Sequence, residues 1–267
     1  MIRKYMICGA AAMLLVSCEK ELDFKYHDID PLLVIEGSLT ADEATVALTL
    51  TTPMGEPMDD SRLTDAAVTL HDLTDGSEVT LLPGRDGDYI ARTGGVVGHE
   101  YRLVVTREGE SYSSDCEMRP AVEITGLEFN WIKMPYDDVA ALQVSFADNA
   151  DTDNDYYWVR IYRNGKIYQW SYVSDILESG GIIDEVFATT RKDIDEEDDD
   201  SILLDGDVIT ATVCKISREM YDYLEAIAQP GSNGPRMFEG GFCLGYFLAA
   251  PVTADEIVFH PDEIPYF

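Results

Sequence analysis

From Leu32 to Met118 the sequence is cut into apolar-alternating pieces of five to eight residues, and Asp, Gly or Pro separates them. This punctuation constrains the fold more than any other feature. The pieces are LLVIEGSL, TVALTLTT, AAVTLHDL, SEVTLL, DYIAR, EYRLVVT and SYSSDCEM. A period of two buries one face of each piece and wets the other, and none is long enough to make a stable helix. Asp75-Gly76 predicts a two-residue type I′ hairpin turn, since both residues accept positive φ. Glu108-Gly109 predicts a second, although Glu is less at home in that conformation. Seven strands over residues 31–120 amount to an immunoglobulin-like β-sandwich. The paired cysteines and core tryptophan of antibody domains are absent, so the expectation concerns architecture alone.

Arg119-Pro120 closes this block, and AVEITGLEFNWI opens another over residues 121–267. The strongest hairpin signal in the chain lies there: Tyr156 to Arg163, then Asn164-Gly165, then Lys166 to Tyr172. A strict two-residue turn makes opposed residue numbers sum to a constant, so Ile161 is expected to face Tyr168, Val159 to face Trp170, and Tyr157 to face Tyr172. Those residues form the expected core side. Tyr156, Trp158 and Tyr162 fall on the other side among polar groups. One helix is expected near 218–229, capped by Ser217, with Glu219 in its first turn. Met220, Tyr223, Leu224 and Ile227 share one face of it, and Pro230-Gly231 ends it. The late runs GGFCLGYFLAA and EIVF are expected to complete the second sandwich. The fold class is therefore mainly β: an N-terminal immunoglobulin-like β-sandwich followed by a second β-sandwich-like domain with one short α-helix.

The N-terminus has a different grammar. Arg3 and Lys4 precede Met6 to Ser17, a run without charge that is too short to span a bilayer but has the proportions of a secretory signal. It ends in Leu15-Val16-Ser17-Cys18, which resembles the bacterial lipobox. That resemblance implies cleavage between Ser17 and Cys18, leaving residues 1–17 as signal peptide, with acyl chains such as palmitate on Cys18. Residues 18–30 would be the tether, and several acyl chains on one residue anchor durably. Glu19-Lys20-Glu21-Leu22-Asp23 resembles the signals that send lipoproteins of Bacteroidetes-type bacteria to the cell surface. The alternatives are an ordinary secretory signal, or a buried helix with an incidental cysteine.

The formal net charge is −32, and loss of Arg3 and Lys4 with the signal makes it two units more negative. A chain this acidic is repelled by phosphate backbones and anionic lipid surfaces, which excludes nucleic-acid partners. Beyond Cys8 and Cys18 only Cys116, Cys214 and Cys243 remain, with no C-x-x-C pair, so neither a disulfide framework nor a zinc site is expected. Lone buried thiols are the expectation, and a Cys214–Cys243 bridge is the alternative.

Two acidic stretches invite a chemical reading. Asp148, Asp151, Asp153 and Asp155 supply hard oxygens just before a strand, which suits Ca²⁺, yet the glycine and closing glutamate of an EF-hand are missing. The bland alternative is a solvated turn. Residues 193–200 hold seven acids and read as an exposed loop. His27, His71, His99 and His260 have no ligand spacing, and no nucleophile elbow, phosphate loop or dinucleotide fingerprint is present. No catalytic residues and no obligatory cofactor are expected; the chain reads as a binder rather than an enzyme. For Tyr156, Trp158 and Tyr162 the functional reading is a face for a sugar or a partner protein. The structural alternative is that a third strand, the helix or the first sandwich covers them.

Taken together, the Cys18 signal, LLVIEGSLT, AAVTLHDLTDG, GHEYRLVVTREGESYSSDCEMRP, NDYYWVRIYRNG, SREMYDYLEAIAQ and FCLGYFLAA resemble the DUF4249 lipoproteins of Bacteroidetes-type bacteria. The family's pattern departs at PRMFEGGF and at the 193–200 acids. The resemblance supplies no catalytic residues. It implies outer-membrane lipid as one partner, through acylated Cys18, and a TonB-dependent receptor as another. The expected function is that of a lipid-anchored outer-membrane or cell-surface binding protein, an accessory subunit of a TonB-dependent nutrient uptake system. A surface adhesin or structural lipoprotein is the alternative, with a surface hydrolase as a third reading.

Overall fold

The pieces of the first block become strands β1 (Leu33–Leu39), β2 (Ala44–Leu50), β3 (Ala67–Asp72), β4 (Glu78–Pro83), β5 (Tyr89–Ala91), β6 (Glu100–Arg107) and β7 (Glu110–Glu117). The computed structural model describes residues 30–52, 61–148, 154–175, 181–191, 202–229 and 234–267. His27, the Cys18 signal, residues 18–29 of the tether, Asp151, Asp153, Pro230-Gly231 and the acids of 193–200 lie outside them. The strands run in the order β7-β6-β3-β4-β5-β2-β1. Strand β4 pairs with β3 on one flank and β5 on the other, so the two sheets of this sandwich share it. The period-two pattern does what the sequence promised: Ile35, Leu39, Val46, Leu48, Leu103 and Val105 all point into one core.

The second block forms β8 (Ile124–Ile132), β9 (Val139–Asp148), β10 (Tyr156–Arg163), β11 (Lys166–Ser174), β12 (Gly181–Arg191) and β13 (Val208–Ile216). These are followed by helix α1 (Arg218–Ala228), then β14 (Glu239–Gly240), β15 (Leu244–Ala249) and β16 (Thr253–Val258), and a 3-10 turn at Pro261–Glu263. A three-stranded sheet, β12-β9-β8, faces a four-stranded one, β11-β10-β13-β16. Val144, Phe146, Tyr157, Val159, Ile161, Val213 and Phe259 fill the space between. The mainly β fold class with two sandwiches and one short helix is thus what the chain adopts.

Two expectations about the path of the chain require correction. The late apolar run does not complete the second sandwich. Strand β15 pairs in parallel with β1, and β14 pairs with β7, so residues 239–249 return to the first sandwich. Phe247 and Ala249 enter its core, and burying a side chain the size of Phe247 contributes about 1.5–3 kcal/mol. Of that C-terminal stretch, β16 goes to the second sandwich, against β13. The boundary at residue 120 consequently divides strands but not domains: Pro31–Phe267 is one compact unit, in which the chain crosses between two cores repeatedly.

The turns differ as well. Glu108-Gly109 has φ of 53° and 87°, and Asn164-Gly165 has 49° and 81°, the paired positive values of a type I′ turn. At Asp75-Gly76 only Gly76 has positive φ. The loop there is longer because the Asp72 carboxylate takes over: its Oδ1 accepts from Thr74 N at 2.9 Å and Asp75 N at 3.1 Å. In the β10–β11 hairpin the expected register holds for Arg163 with Lys166 and Tyr162 with Ile167, then slips by one. Ile161 faces Gln169, Val159 faces Ser171 and Tyr157 faces Val173, because Tyr168 is inserted as a bulge. Every β11 side chain beyond it changes face, and Trp170 and Tyr172 leave the predicted core side.

Helix α1 starts as expected, with Ser217 Oγ accepting from Met220 N at 3.1 Å. Met220 and Leu224 are buried, whereas Ile227 is 55% exposed and contributes little. The helix closes a third core made of Tyr156, Trp158, Cys214, Ile216, Met220, Leu224, Leu248 and Ala250. It thereby joins the two sandwiches through residues from both. Cys116, Cys214 and Cys243 are free thiols; Cys214 and Cys243 are buried, as expected, whereas Cys116 is only partly so. Burial pushes the Cys214 and Cys243 thiols up to about 11, so neither is a ready thiolate.

Candidate functional site

Strand β10 carries the aromatic face that the sequence offered as a partner surface, and the structure covers it. Tyr156 is 6% and Trp158 8% exposed. Tyr156 packs on Tyr221 of α1 at 4.9 Å between ring centroids, and Trp158 meets Tyr246 of β15 edge-on at 5.5 Å. The Arg160 guanidinium lies over the Trp158 ring at 4.4 Å. Tyr162 is partly buried. Tyr156 and Trp158 are therefore mortar between the two sandwiches rather than a ligand face, and the structural alternative holds for them.

The acidic turn is a different case. Its two described members, Asp148 at the end of β9 and Asp155 just before β10, are 8% and 7% exposed. Asp175, just after β11, joins them at 3%. One carboxylate oxygen from each of the three lies within 4.8 Å of the others. The backbone of Asp155 donates to Asp175 Oδ1 at 2.7 Å, and the Asp175 N–H donates to Asp155 O at 3.1 Å. Tyr157 donates its hydroxyl to Asp148, and Lys215 of β13 donates its ammonium to Asp155. Burial, followed by the Asp148 and Asp155 charges, pushes the Asp175 carboxyl above its ordinary value, against the hydrogen bond from the Asp155 backbone. Burial and then the Asp148 contact push the Tyr157 phenol up, so it stays a donor. Asp175 Oδ2 is buried with no hydrogen-bond partner among the described residues.

Sequence reasoning named Asp148 and Asp155 and missed Asp175 and Lys215. The missing signal was the bulge. A strict register sets Asp155 opposite Ser174, whereas the slip by one sets it opposite Asp175.

A second acidic group, Asp72, Asp75 and His99, is explained by the turn it builds. His99 Nδ1 lies 2.7 Å from Asp72 Oδ2, and Asp72 Oδ1 is occupied by the backbone. Burial pushes the Asp72 pKa up, but the His99 bond and the N–H groups of Asp75 and Thr74 outweigh it and hold the carboxyl below its ordinary value. His71 reaches Glu78 at 3.2 Å and His260 reaches Asp205 at 2.8 Å, each a local surface pair.

A cleft of about 480 Å³ opens beside β7, the start of α1 and the segment leading to β14. Glu100, Asp115, Glu117, Glu219 and Glu239 line it with Arg119, Arg236, Ser113, Ser114 and Ser217. Arg236 is held by the carbonyls of Gly240 and Gly241, both at 2.7 Å. Arg119 reaches Glu117 at 3.6 Å and keeps its Nε buried without an acceptor. Acids outnumber arginines in this lining, which suits a hydroxylated or cationic ligand and repels an anionic one.

Two stacked sandwiches, a helix-sealed joint and a polar cleft define a β-sandwich protein body; among the described residues no helix is long and apolar enough to cross a membrane. The chain belongs to the DUF4249 family, a domain of unknown function, whose profile matches residues 19–253. No curated protein matches the sequence. Among solved structures, a two fibronectin type III domain segment from chicken tenascin aligns over 86% of this chain and 100% of its own, at 11% identity and a TM-score of 0.24. The FN1–FN3 domains of chicken CNTN1 align over 86% of this chain and 65% of theirs, at 9% identity and a TM-score of 0.25. Dimeric latent PorU from Porphyromonas gingivalis aligns over 83% of this chain and 20% of its own, at 11% identity and a TM-score of 0.21. The fold class rests on the chain's own strand orders.

Proposed function

We propose that the protein is a lipid-anchored outer-membrane or cell-surface binding protein, an accessory subunit of a TonB-dependent nutrient uptake system. The observation that carries this reading is the order of Arg3-Lys4, an apolar run, Ser17 and Cys18, followed by a first strand at Leu33. That order gives a folded body on a short acylated tether. Tethering favours a binder, because a ligand or receptor held at the same surface is met at an effective concentration set by the linker rather than by bulk solution. The acid-rich cleft is where a small hydroxylated or cationic nutrient would be held.

The test has two arms. Cells fed an alkyne-bearing palmitate analogue should label the wild-type chain and not Cys18→Ser, which should leave the membrane fraction. Detergent extraction of the tagged wild type should then recover a β-barrel receptor in stoichiometric amount. Retention of Cys18→Ser in the membrane overturns the anchor, and recovery of the intact protein without a receptor overturns the accessory role.

A further inference from the structure

Three carboxylates at one pole of the second sandwich arrive from three strand ends: Asp148 from β9, Asp155 from before β10 and Asp175 from after β11. A lone acidic group on a surface would mean little, but these three are almost fully withdrawn from water. Burying a charge without a partner is costly, and groups normally neutralise or pair instead. Lys215 pairs with Asp155, and Tyr157 donates a hydrogen bond to Asp148. The decisive atom is Asp175 Oδ2, on the most buried of the three side chains, which has no hydrogen-bond partner among the described residues.

We propose that Asp148, Asp155 and Asp175 bind a Ca²⁺ ion. Ca²⁺–oxygen distances of about 2.3–2.6 Å put opposed ligands about 4.6–5.2 Å apart, so oxygens all within 4.8 Å of one another fit around one ion. The donors are hard oxygens with no imidazole or thiolate, which disfavours zinc and copper. Mg²⁺ insists on octahedral geometry and keeps several waters, and carboxylates this buried leave little room for them. The position of the site, where the β10–β11 hairpin meets β9 of the facing sheet, lets the ion lock the two sheets of the second sandwich together. The site is independent of the membrane anchor and of the cleft.

The experiment uses the full-length chain in detergent, stripped with a chelator and titrated with CaCl₂ by calorimetry and by melting temperature. A dissociation constant of about 0.1–1 mM is expected, as for extracellular calcium modules. At tenfold excess the melting temperature should rise by about 3–6 °C. Tb³⁺ should show emission sensitised by Tyr157 and displaced by Ca²⁺. Asp175→Asn, which keeps the Oδ1 acceptor for the Asp155 backbone, should lose both responses, while the exposed-turn control Asp86→Asn keeps them. Asp148→Asn gives the same reading should Asp175→Asn fail to fold. No melting shift at about 10 mM Ca²⁺, an equal shift with Mg²⁺, or a shift that survives in Asp175→Asn or Asp148→Asn overturns the proposal.

Discussion

Lys215 sits 8% exposed on its side chain and pairs with an Asp155 that is equally withdrawn. Removing one partner of a buried pair strands the other charge, so Lys215→Met in calcium-free buffer should lower unfolding free energy by about 3–5 kcal/mol, read by urea titration. Asp72 makes a different prediction. Its carboxyl is held below its ordinary value by His99 and two backbone N–H groups despite burial. A depressed folded pKa stabilises above the unfolded pKa and loses that contribution as pH falls through the folded value. Asp72→Asn should therefore flatten the acid side of the stability curve below about pH 4, measured by denaturation at stepped pH. The sequence placed Asp148 and Asp155 in one acidic turn with Asp151 and Asp153 as candidate calcium ligands, with a solvated turn as the alternative. Asp175 was not legible, because a single inserted residue at Tyr168 decides what stands opposite Asp155, and nothing local to Tyr168 announces a bulge.

Element by element, the strands of the first block and the capped helix could be read from periodicity because each has one wet face. Strand β15 could not, since LGYFLA is apolar enough to suit either core, and only tertiary pairing assigns it to β1. That pairing hinges on Gly245, which has φ of +107° and where a Cβ would stand 1.9 Å from the Ile35 carbonyl oxygen. Gly245→Ala should destabilise by more than about 2 kcal/mol, since backbone cannot yield as a side chain does. Hydrogen exchange should then show β1 and β15 opening first. In α1, Leu224→Ala should cost about 2–5 kcal/mol and loosen the contact between sandwiches. Ser217→Ala should cost about 1 kcal/mol, and both values follow from melting curves. The aromatics of β10 show why exposure is hard to read: an alternating strand reveals that two faces exist, but not that a helix sixty residues on will cover the second.

At the scale of the molecule, two sandwiches share one compact unit because the chain passes between them more than once and α1 seals the passage. The pairing of Val34 with Leu244 has a consequence for how such a molecule is made. A ribosome delivers β1 at the outset and β15 near the finish, so one flank of the earliest strand stays open while nearly all the rest is polymerised. An open flank of that kind is a template for strands of other nascent copies. Chains halted at residue 238 should therefore clump and bind thioflavin, whereas completed chains stay dispersed, as sedimentation would report. One flank of β1 is thus covered only once β15 has been made.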